Sequence, residues 1–400
     1  MRILMCHNRY LIPGGEDMST AQESALLREA GYEVDLVEYD NAEIARLGRL
    51  RTALGTMWSQ TAYRHIGGLL AGGRYDVLHV QNFFPLLSPS IIHAAARHGV
   101  PVVLSLRNYR LFCANAALFR DGRQCLDCVG LFVPLHGIRH GCYRNSRSAS
   151  AAVAAMAGLH RMLGTWSNRV HAFVAVSGHV RQRYVQAGFP ADRIFVKHNA
   201  LAADPPAREA PPLDRTVYSG RLSREKGVDV LIRAWRRLDV ATELHLIGSG
   251  EDEERLKQVA EGDPRIRFRG RLDHATTMAE MAAARLSVLP ALWDEPFGRS
   301  ALESLAVGTP ALVSDVGGLP EIVADGGGGE VVPAGSAEAL ADAVHRWLAD
   351  PELHGARRRE ALQKYRSRFS TAASTRRLVE IYRHAGVAPG GSEAAVPLTF

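Results

Sequence analysis

Lysine is nearly missing from this 400-residue chain: it occurs only at Lys197, Lys226, Lys257 and Lys364, so the net charge of +6 rests almost wholly on arginine. A lysine inside a motif is therefore a feature rather than background. No run of 18 or more uncharged apolar residues occurs, which leaves no candidate for a membrane-spanning helix. The opening "MRILMCHNRY" reads as a strand and lacks a cleavable leader pattern, so a cytoplasmic protein is expected, with the inner face of a membrane as the second location. Aromatic residues make up only 7% and are not interleaved with the scattered basic ones, so nucleic acid is the weakest of the partners a basic protein suggests. The glycine fingerprint of dinucleotide folds is absent too. In "GSGED", Gly248 to Asp252, the third glycine of that fingerprint is replaced by Glu253, which removes most support for an NAD or FAD enzyme.

What is present is ordinary globular composition, 46% hydrophobic and 22% charged. The length suits two domains of roughly 150 to 200 residues with a cleft between them. Short β-branched runs alternate with helical stretches: "RILMCHN", "YEVDLVEY", "YDVLHVQ", "VPVVLSL", "VHAFVAVS" and "RIFVKHN" in the first half. "RTVYSG", "ATELHLIG", "RIRFRG", "RLSVLP", "PALVS" and "GGEVV" follow in the second. Alternation of this kind predicts an α/β protein, two Rossmann-like doubly wound domains facing across a cleft. The expected boundaries are 1–200 for the first domain, with a cysteine-bearing insertion at 107–148, and 201–214 for a proline-rich linker. The second domain spans 215–370, a helix at 371–385 packs back toward the first, and 386–400 is a disordered tail.

Three motifs carry chemistry. "PGGED" places Gly14 and Gly15 where the first strand turns into a helix, a backbone that a ligand can approach closely beside free N–H groups; a plain turn capped by Asp17 is the alternative. "SGRLSREKG" places Arg221 and Lys226 in a glycine-flanked loop after the first strand of the second domain, cations suited to a diphosphate unless the loop is merely solvated. "WDEPFGRSALE" holds Glu295 and Glu303 eight positions apart, with Pro296 and Gly298 favouring a helix that begins just after Glu295. Along a helix axis that separates the carboxylates by up to roughly 12 Å. A hydrolytic pair needs about 5 to 9.5 Å, so the spacing fits two ends of one elongated ligand better than one bond. The amides of Phe297 and Gly298 fall between, at the positive end of the helix.

These motifs, together with "SDVGGLPEIV", occur in an order that resembles glycosyltransferase family 4, retaining enzymes of the two-domain GT-B fold. The resemblance runs to about Ala385. It implies transfer of a sugar from a nucleoside-diphosphate donor to a hydroxyl acceptor (glycan, lipid-linked or small molecule) with retention of configuration and no metal ion or other cofactor needed for catalysis. It further implies that Arg221 and Lys226 hold the diphosphate, Glu295 binds donor-sugar hydroxyls, and Glu303 binds the ribose. Gly14 and Gly15 approach the diphosphate from the opposite domain, and the nucleobase lies by "FRGRL", with Arg269, Gly270, Arg271 and Leu272. One departure stands out. In "SLRNYRLFC", Arg107, followed by Asn108, occupies the place where many relatives have a histidine. Arginine cannot serve as a base at neutral pH, so Arg107 either contacts the donor or only lines the cleft.

Four of the five cysteines, Cys113, Cys125, Cys128 and Cys142, crowd into the insertion, and Cys125 and Cys128 have C-x2-C spacing. A closed structural zinc site and plain reduced core cysteines are both consistent with that pattern. The apolar helix near Ala149 to Leu163, flanked by Arg144, Arg147 and Arg161, reads as an interior helix or as a peripheral contact with an anionic membrane. Two functions compete with the transferase: a GT-B-type epimerase acting on a nucleotide sugar alone, and a non-catalytic nucleotide-sugar or glycan-binding protein.

Overall fold

The structure, a computed structural model, describes residues 1–11, 14–205, 212–324 and 327–387. All twelve expected strands are present. In the first half β1 (Arg2–Arg9), β2 (Glu33–Asp40), β3 (Val77–Asn82) and β4 (Val102–Leu106) precede the insertion, which adds the short β5 (Phe119–Arg120) and β6 (Arg123–Gln124). After it come β7 (Ala172–Ala175) and β8 (Ile194–Val196). The sheet order is β2-β1-β3-β4-β7-β8, all parallel, with β5 and β6 as a separate antiparallel pair. In the second half β9 (Arg215–Ser219), β10 (Glu243–Ile247), β11 (Ile266–Gly270), β12 (Leu286–Leu289), β13 (Ala311–Ser314) and β14 (Gly329–Val332) form a parallel sheet in the order β11-β10-β9-β12-β13-β14.

The sequence shows why each strand sits where it does. In β1, Ile3, Leu4, Met5 and Cys6 are all fully buried, because helices cover both faces of a central parallel strand and a continuous apolar run suits it. At the edge, β2 mixes charged with apolar residues, and most of its side chains are partly exposed. Strand order reverses between β1 and β3 in the first sheet and between β9 and β12 in the second. Those are the switch points where open α/β sheets bind ligands, outside the carboxyl ends of the strands.

The halves share one apolar cluster, which runs from the first sheet through Val176, Val180 and Leu201 to Phe297, Leu319, Ile322 and Phe369. The helix Thr371–His384 lies on the first sheet, with Leu378, Val379, Ile381 and Tyr382 packed among Ile3, Met5, Val77, Val103 and Val174. Each such buried Leu or Ile contributes about 1.5 to 3 kcal/mol. Of the expected linker, 206–211 lies outside the described residues, and so does 388–400 of the expected tail. Leu201 is buried and Asp204 accepts from Tyr365 Oη at 2.6 Å, so the approach to the linker is anchored.

Two alternatives that the sequence leaves open are narrowed here. The alanine-rich helix, Arg147–Met162, turns Val153, Ala154, Met156 and Ala157 inward, as the interior reading of it expects, while Met162 and Leu163 at its end are exposed. No helix among the described residues is long and apolar enough to cross a membrane. The zinc site is not formed either: among the described residues no group of three or more His, Cys, Asp or Glu side chains could hold a metal ion, and Cys113, Cys125, Cys128 and Cys142 are free thiols. Cys113 Sγ donates to Asn115 Oδ1 at 2.9 Å, and burial pushes the Cys128 thiol up to about 11. The insertion is ordered by other means. The Arg110 guanidinium stacks over Phe84 and Tyr143 at 4.7 and 5.0 Å from the ring centroids, and Arg120 pairs with Asp127 at 3.1 Å.

Candidate active site

On the first domain's side of the cleft, Gly14 caps the helix Gly15–Glu29. Asp17 closes the turn, accepting from Gly14 N at 2.8 Å and Tyr10 N at 3.1 Å, with His7 Nε2 2.9 Å from the same carboxylate. Burial opposes the charge on Asp17, but these bonds outweigh it and hold the carboxyl below its ordinary range. A Cβ built on Gly15 would stand 3.9 Å from Arg299 Cδ, so this turn faces the second domain. Asn108 donates to Glu16 at 2.8 Å, which joins the end of β4 to the same helix.

Arg107 goes elsewhere. It is 9% exposed: Nε and Nη2 donate to Gln81 at 3.1 and 2.9 Å, Nη1 to Asn199 at 2.6 Å, and Nη2 stands 3.5 Å from Glu23. Lys197 donates to the same Glu23 carboxylate. Burial would raise Glu23, yet Lys197 and Arg107 outweigh it and hold the carboxyl well below the usual range. His79, pushed down to about 4 by burial, joins the cluster to Tyr382 of the C-terminal helix through a 2.7 Å bond. Arg107 is thus tied into the interior of the first domain, and each nitrogen of its guanidinium has a protein partner.

The second domain presents a different surface. The loop after β9 forms a short 3-10 turn, Arg224–Lys226, which aims Lys226 at Glu295. Its Nζ donates to Glu295 Oε2 and lies 5.1 Å from the Trp293 ring centroid, while Trp293 Nε1 donates to the same oxygen at 3.0 Å. Arg221 is not part of this contact. Its side chain is 61% exposed and paired with Glu225 at 2.9 Å.

The helix expected to begin just after Glu295 begins at Arg299, with Gly298 as its N-cap at φ 94°. The loop "SDVGGLPEIV" explains the delay. Gly317, at φ 61°, packs so tightly that a Cβ would lie 2.2 Å from the Glu295 carbonyl oxygen, and Gly318 N donates to that oxygen at 2.7 Å. Any side chain at 317 would push Glu295 out of place. Phe297 is buried with its ring 5.7 Å from His198 and 6.2 Å from Phe369, so it packs the domain junction.

Glu303, 6% exposed, accepts from Arg299 Nε at 2.9 Å, with His274 Nε2 at 3.2 Å. Arg299 crosses the cleft to Gln22 and Ser19 at 2.9 and 3.3 Å. Gly270 ends β11 at φ 65° beside Gly248, which donates to its carbonyl at 2.8 Å. Arg269 reaches Glu280 at 3.6 Å, Arg271 is exposed, and Leu272 packs against the small cluster around Met281.

Sequence reasoning missed Glu23, Lys197, Asp294, Arg299 and Glu321. Lys197 carried a signal, as one of only four lysines, Asp294 and Arg299 lie within "WDEPFGRSALE", and Glu321 lies within "SDVGGLPEIV".

A site of this shape has relatives. The model "Glycosyltransferase Family 4" matches residues 13–204, and "Glycosyl transferases group 1" matches 207–368. The chain belongs to glycosyltransferase family 4. A phosphatidyl-myo-inositol mannosyltransferase of Mycolicibacterium smegmatis is 25% identical over 397 residues, 91% of this chain and 90% of that protein. A glycogen synthase of Mycobacterium tuberculosis is 36% identical over 172 residues, 42% of this chain and 41% of that one. Among solved structures, Anabaena HepE in complex with UDP-glucose superposes with a TM-score of 0.66 at 18% identity, covering 95% of this chain and 98% of that one. The sucrose-phosphate synthase of Thermosynechococcus elongatus gives 0.66 at 17%, covering 96% and 98%. The fold is GT-B, and this family 4 member is a retaining glycosyltransferase that uses a nucleotide-sugar donor. Family 4 enzymes typically need no metal.

Proposed function

We propose that this glycosyltransferase transfers a hexosyl group to a hydroxyl of a glycan or lipid-linked acceptor lying against the first domain, with Lys226 and Glu295 exchanging their mutual bond for the donor. Lys226 moves to the diphosphate and Glu295 to the sugar hydroxyls. The acceptor oxygen attacks the anomeric carbon on the face from which the phosphate leaves. Its proton passes to a phosphate oxygen as the carbon–oxygen bond to the diphosphate breaks, so configuration is retained. The positive helix end at Gly298 and Arg299 favours the charge that develops on the leaving group. Gly15 brings a backbone N–H group from the other side, in a turn that Gly14 shapes by donating its own N–H to Asp17, and Arg221 swings in from Glu225. Glu303 holds the ribose, with Gly270 and its neighbours beside the base. The mannosyltransferase relative, whose name gives phosphatidyl-myo-inositol as its acceptor, supports a lipid acceptor.

The observation that carries this reading is the half-buried Lys226–Glu295 pair at the carboxyl end of the second sheet. A thermal-shift screen of nucleoside-diphosphate sugars, UDP-glucose and GDP-mannose among them, identifies the donor by ligand-induced stabilisation. With that donor, Glu295→Gln should lower turnover by about 10²-fold or more at unchanged melting temperature. Unchanged turnover in the variant would remove Glu295 from the site.

A further inference from the structure

Asp294 immediately precedes Glu295 and is 1% exposed, yet each of its partners among the described residues belongs to the first domain. Arg183 Nε donates to Oδ2 at 2.7 Å, and His179 Nε2 stands 3.1 Å from the same oxygen. Gln124, from the β5–β6 hairpin of the cysteine-bearing insertion, donates to Oδ1. Burial opposes ionisation of Asp294, but His179 and Arg183 hold its carboxyl below the ordinary range.

Both His179 and Arg183 lie on the helix Gly178–Gln186. A second carboxylate of the second domain grips the N-terminus of that helix: Glu321 accepts from Gly178 N at 2.8 Å and His179 N at 2.7 Å. Between the two carboxylates, the N-cap Ser177 donates through Oγ to the Pro296 carbonyl at 2.6 Å. One short helix of the first domain is therefore held along the loop that carries Glu295 and by the loop packed behind it.

We propose that Asp294 is a positioning residue for the donor-sugar loop: by pairing with Arg183, His179 and Gln124 it adds to the hold on Glu295 a restraint that exists only when the two domains are together. It touches no substrate and acts through Glu295, so the proposal rests on the role given to Glu295 above. Physically, a carboxylate whose cations all lie in the opposite domain is satisfied when the cleft is closed and must be rehydrated when it opens. The loop is thus tied to closure, and the insertion gains a function, to supply Gln124 at that junction. An Asp294 that served only its own loop would take partners from its own domain.

The test is hydrogen exchange of the Phe297, Gly298 and Arg299 amides in the ligand-free full chain, which needs no knowledge of donor or acceptor. Losing one partner of a buried pair is costly. Arg183→Gln, on the far domain, should therefore speed exchange at these amides by at least roughly tenfold, with Gln124→Ala giving a smaller increase and Arg183→Lys restoring most of the protection. Unchanged exchange in Arg183→Gln overturns the proposal. With the donor found by the screen, Arg183→Gln should also lower kcat by at least about tenfold with a smaller change in donor KM. Should Asp294→Ala fail to fold, the variants of the first domain still decide the matter. If Glu295→Gln impairs turnover while Arg183→Gln changes neither readout, this inference fails and the reading of Glu295 stands. If Glu295→Gln is silent, that reading fails first.

Discussion

Each domain offers the cleft a lysine paired with a glutamate, and the two pairs are built in opposite ways. In the first domain Lys197 and Arg107 close on Glu23 with every member at most 9% exposed and with Gln81 and Asn199 filling the remaining valences of Arg107. In the second, Lys226 and Glu295 have side chains 21% and 15% exposed, with the Trp293 ring and indole N–H as the further partners among the described residues. A buried, fully bonded cluster is costly to disturb and gains nothing from a ligand. A partly exposed pair at a strand's carboxyl end can trade its contact for a substrate's with little loss. The difference separates charge that holds the fold from charge that serves the reaction, although both use the same residue types.

The largest effect should come from breaking the closed cluster. Glu23→Gln leaves Lys197 and Arg107 buried without a counter-charge and should cost about 3 to 5 kcal/mol, read from the urea unfolding midpoint. If the midpoint hardly moves, the cluster is open to water and the contrast between the pairs collapses. Next, Lys226→Ala should lower transfer turnover by about 10² to 10³-fold, some 2.7 to 4 kcal/mol of transition-state stabilisation, while stability changes by less than about 1 kcal/mol. A variant that loses stability and keeps turnover would reverse the assignment of the two pairs.

How much of this was legible beforehand differs between the same two regions. The second domain's pair could be read because Lys226, Glu295 and Glu303 sit in short contiguous motifs whose glycines set the backbone, and Gly298 and Gly317 bear that out with φ of 94° and 61°. The first domain's pair could not. Glu23, Gln81, Arg107 and Lys197 come from four distant segments that meet only because parallel strands bring their carboxyl ends together. Arg107 was noticed as a departure, but its direction depends on Glu23, a helix residue with no local signal. The strands were readable because burial on both faces leaves continuous apolar runs. The start of the Glu295 helix was misplaced because tertiary packing against Gly317 and Leu319 overrides the local preference of Pro296 for a first helical turn.

The closed cluster also makes a prediction about pH. His79 is held neutral in the fold, pushed down to about 4 by burial, against about 6.5 in an unfolded chain. Its folded value is the lower one, so the unfolded state binds more protons between those limits. Stability contributed by the neutral form is complete above pH 6.5 and is lost as pH falls toward 4, by up to about 1.4 kcal/mol per pH unit. Glu23 acts in a lower window: with its folded pKa depressed, its contribution is present above the ordinary carboxylate range and fades below it. His79→Gln should flatten the unfolding midpoint between pH 6.5 and 4 relative to wild type. His93, also near 4 by burial, contributes a slope that survives the substitution.

The smallest effect tests where the second region ends. Arg221 points outward and pairs with Glu225 at the surface, an exposed contact of about 0 to 1 kcal/mol. Arg221→Ala should therefore leave the urea midpoint within about 0.5 kcal/mol of wild type. If the arginine leaves Glu225 for the diphosphate, turnover falls by about tenfold, a loss near 1.4 kcal/mol, less than for Lys226 because Arg221 starts from solvent and must be ordered on binding. Glu225→Gln then separates two explanations. Releasing Arg221 from its tether should tighten donor binding or leave it unchanged if the arginine moves, and should weaken binding if the Arg221–Glu225 pair shapes the loop around Lys226. A silent Arg221→Ala would confine the anion-binding charge of this face to Lys226 and the helix end at Gly298. Under that outcome the scarce lysine, and not the abundant arginine, carries the reaction.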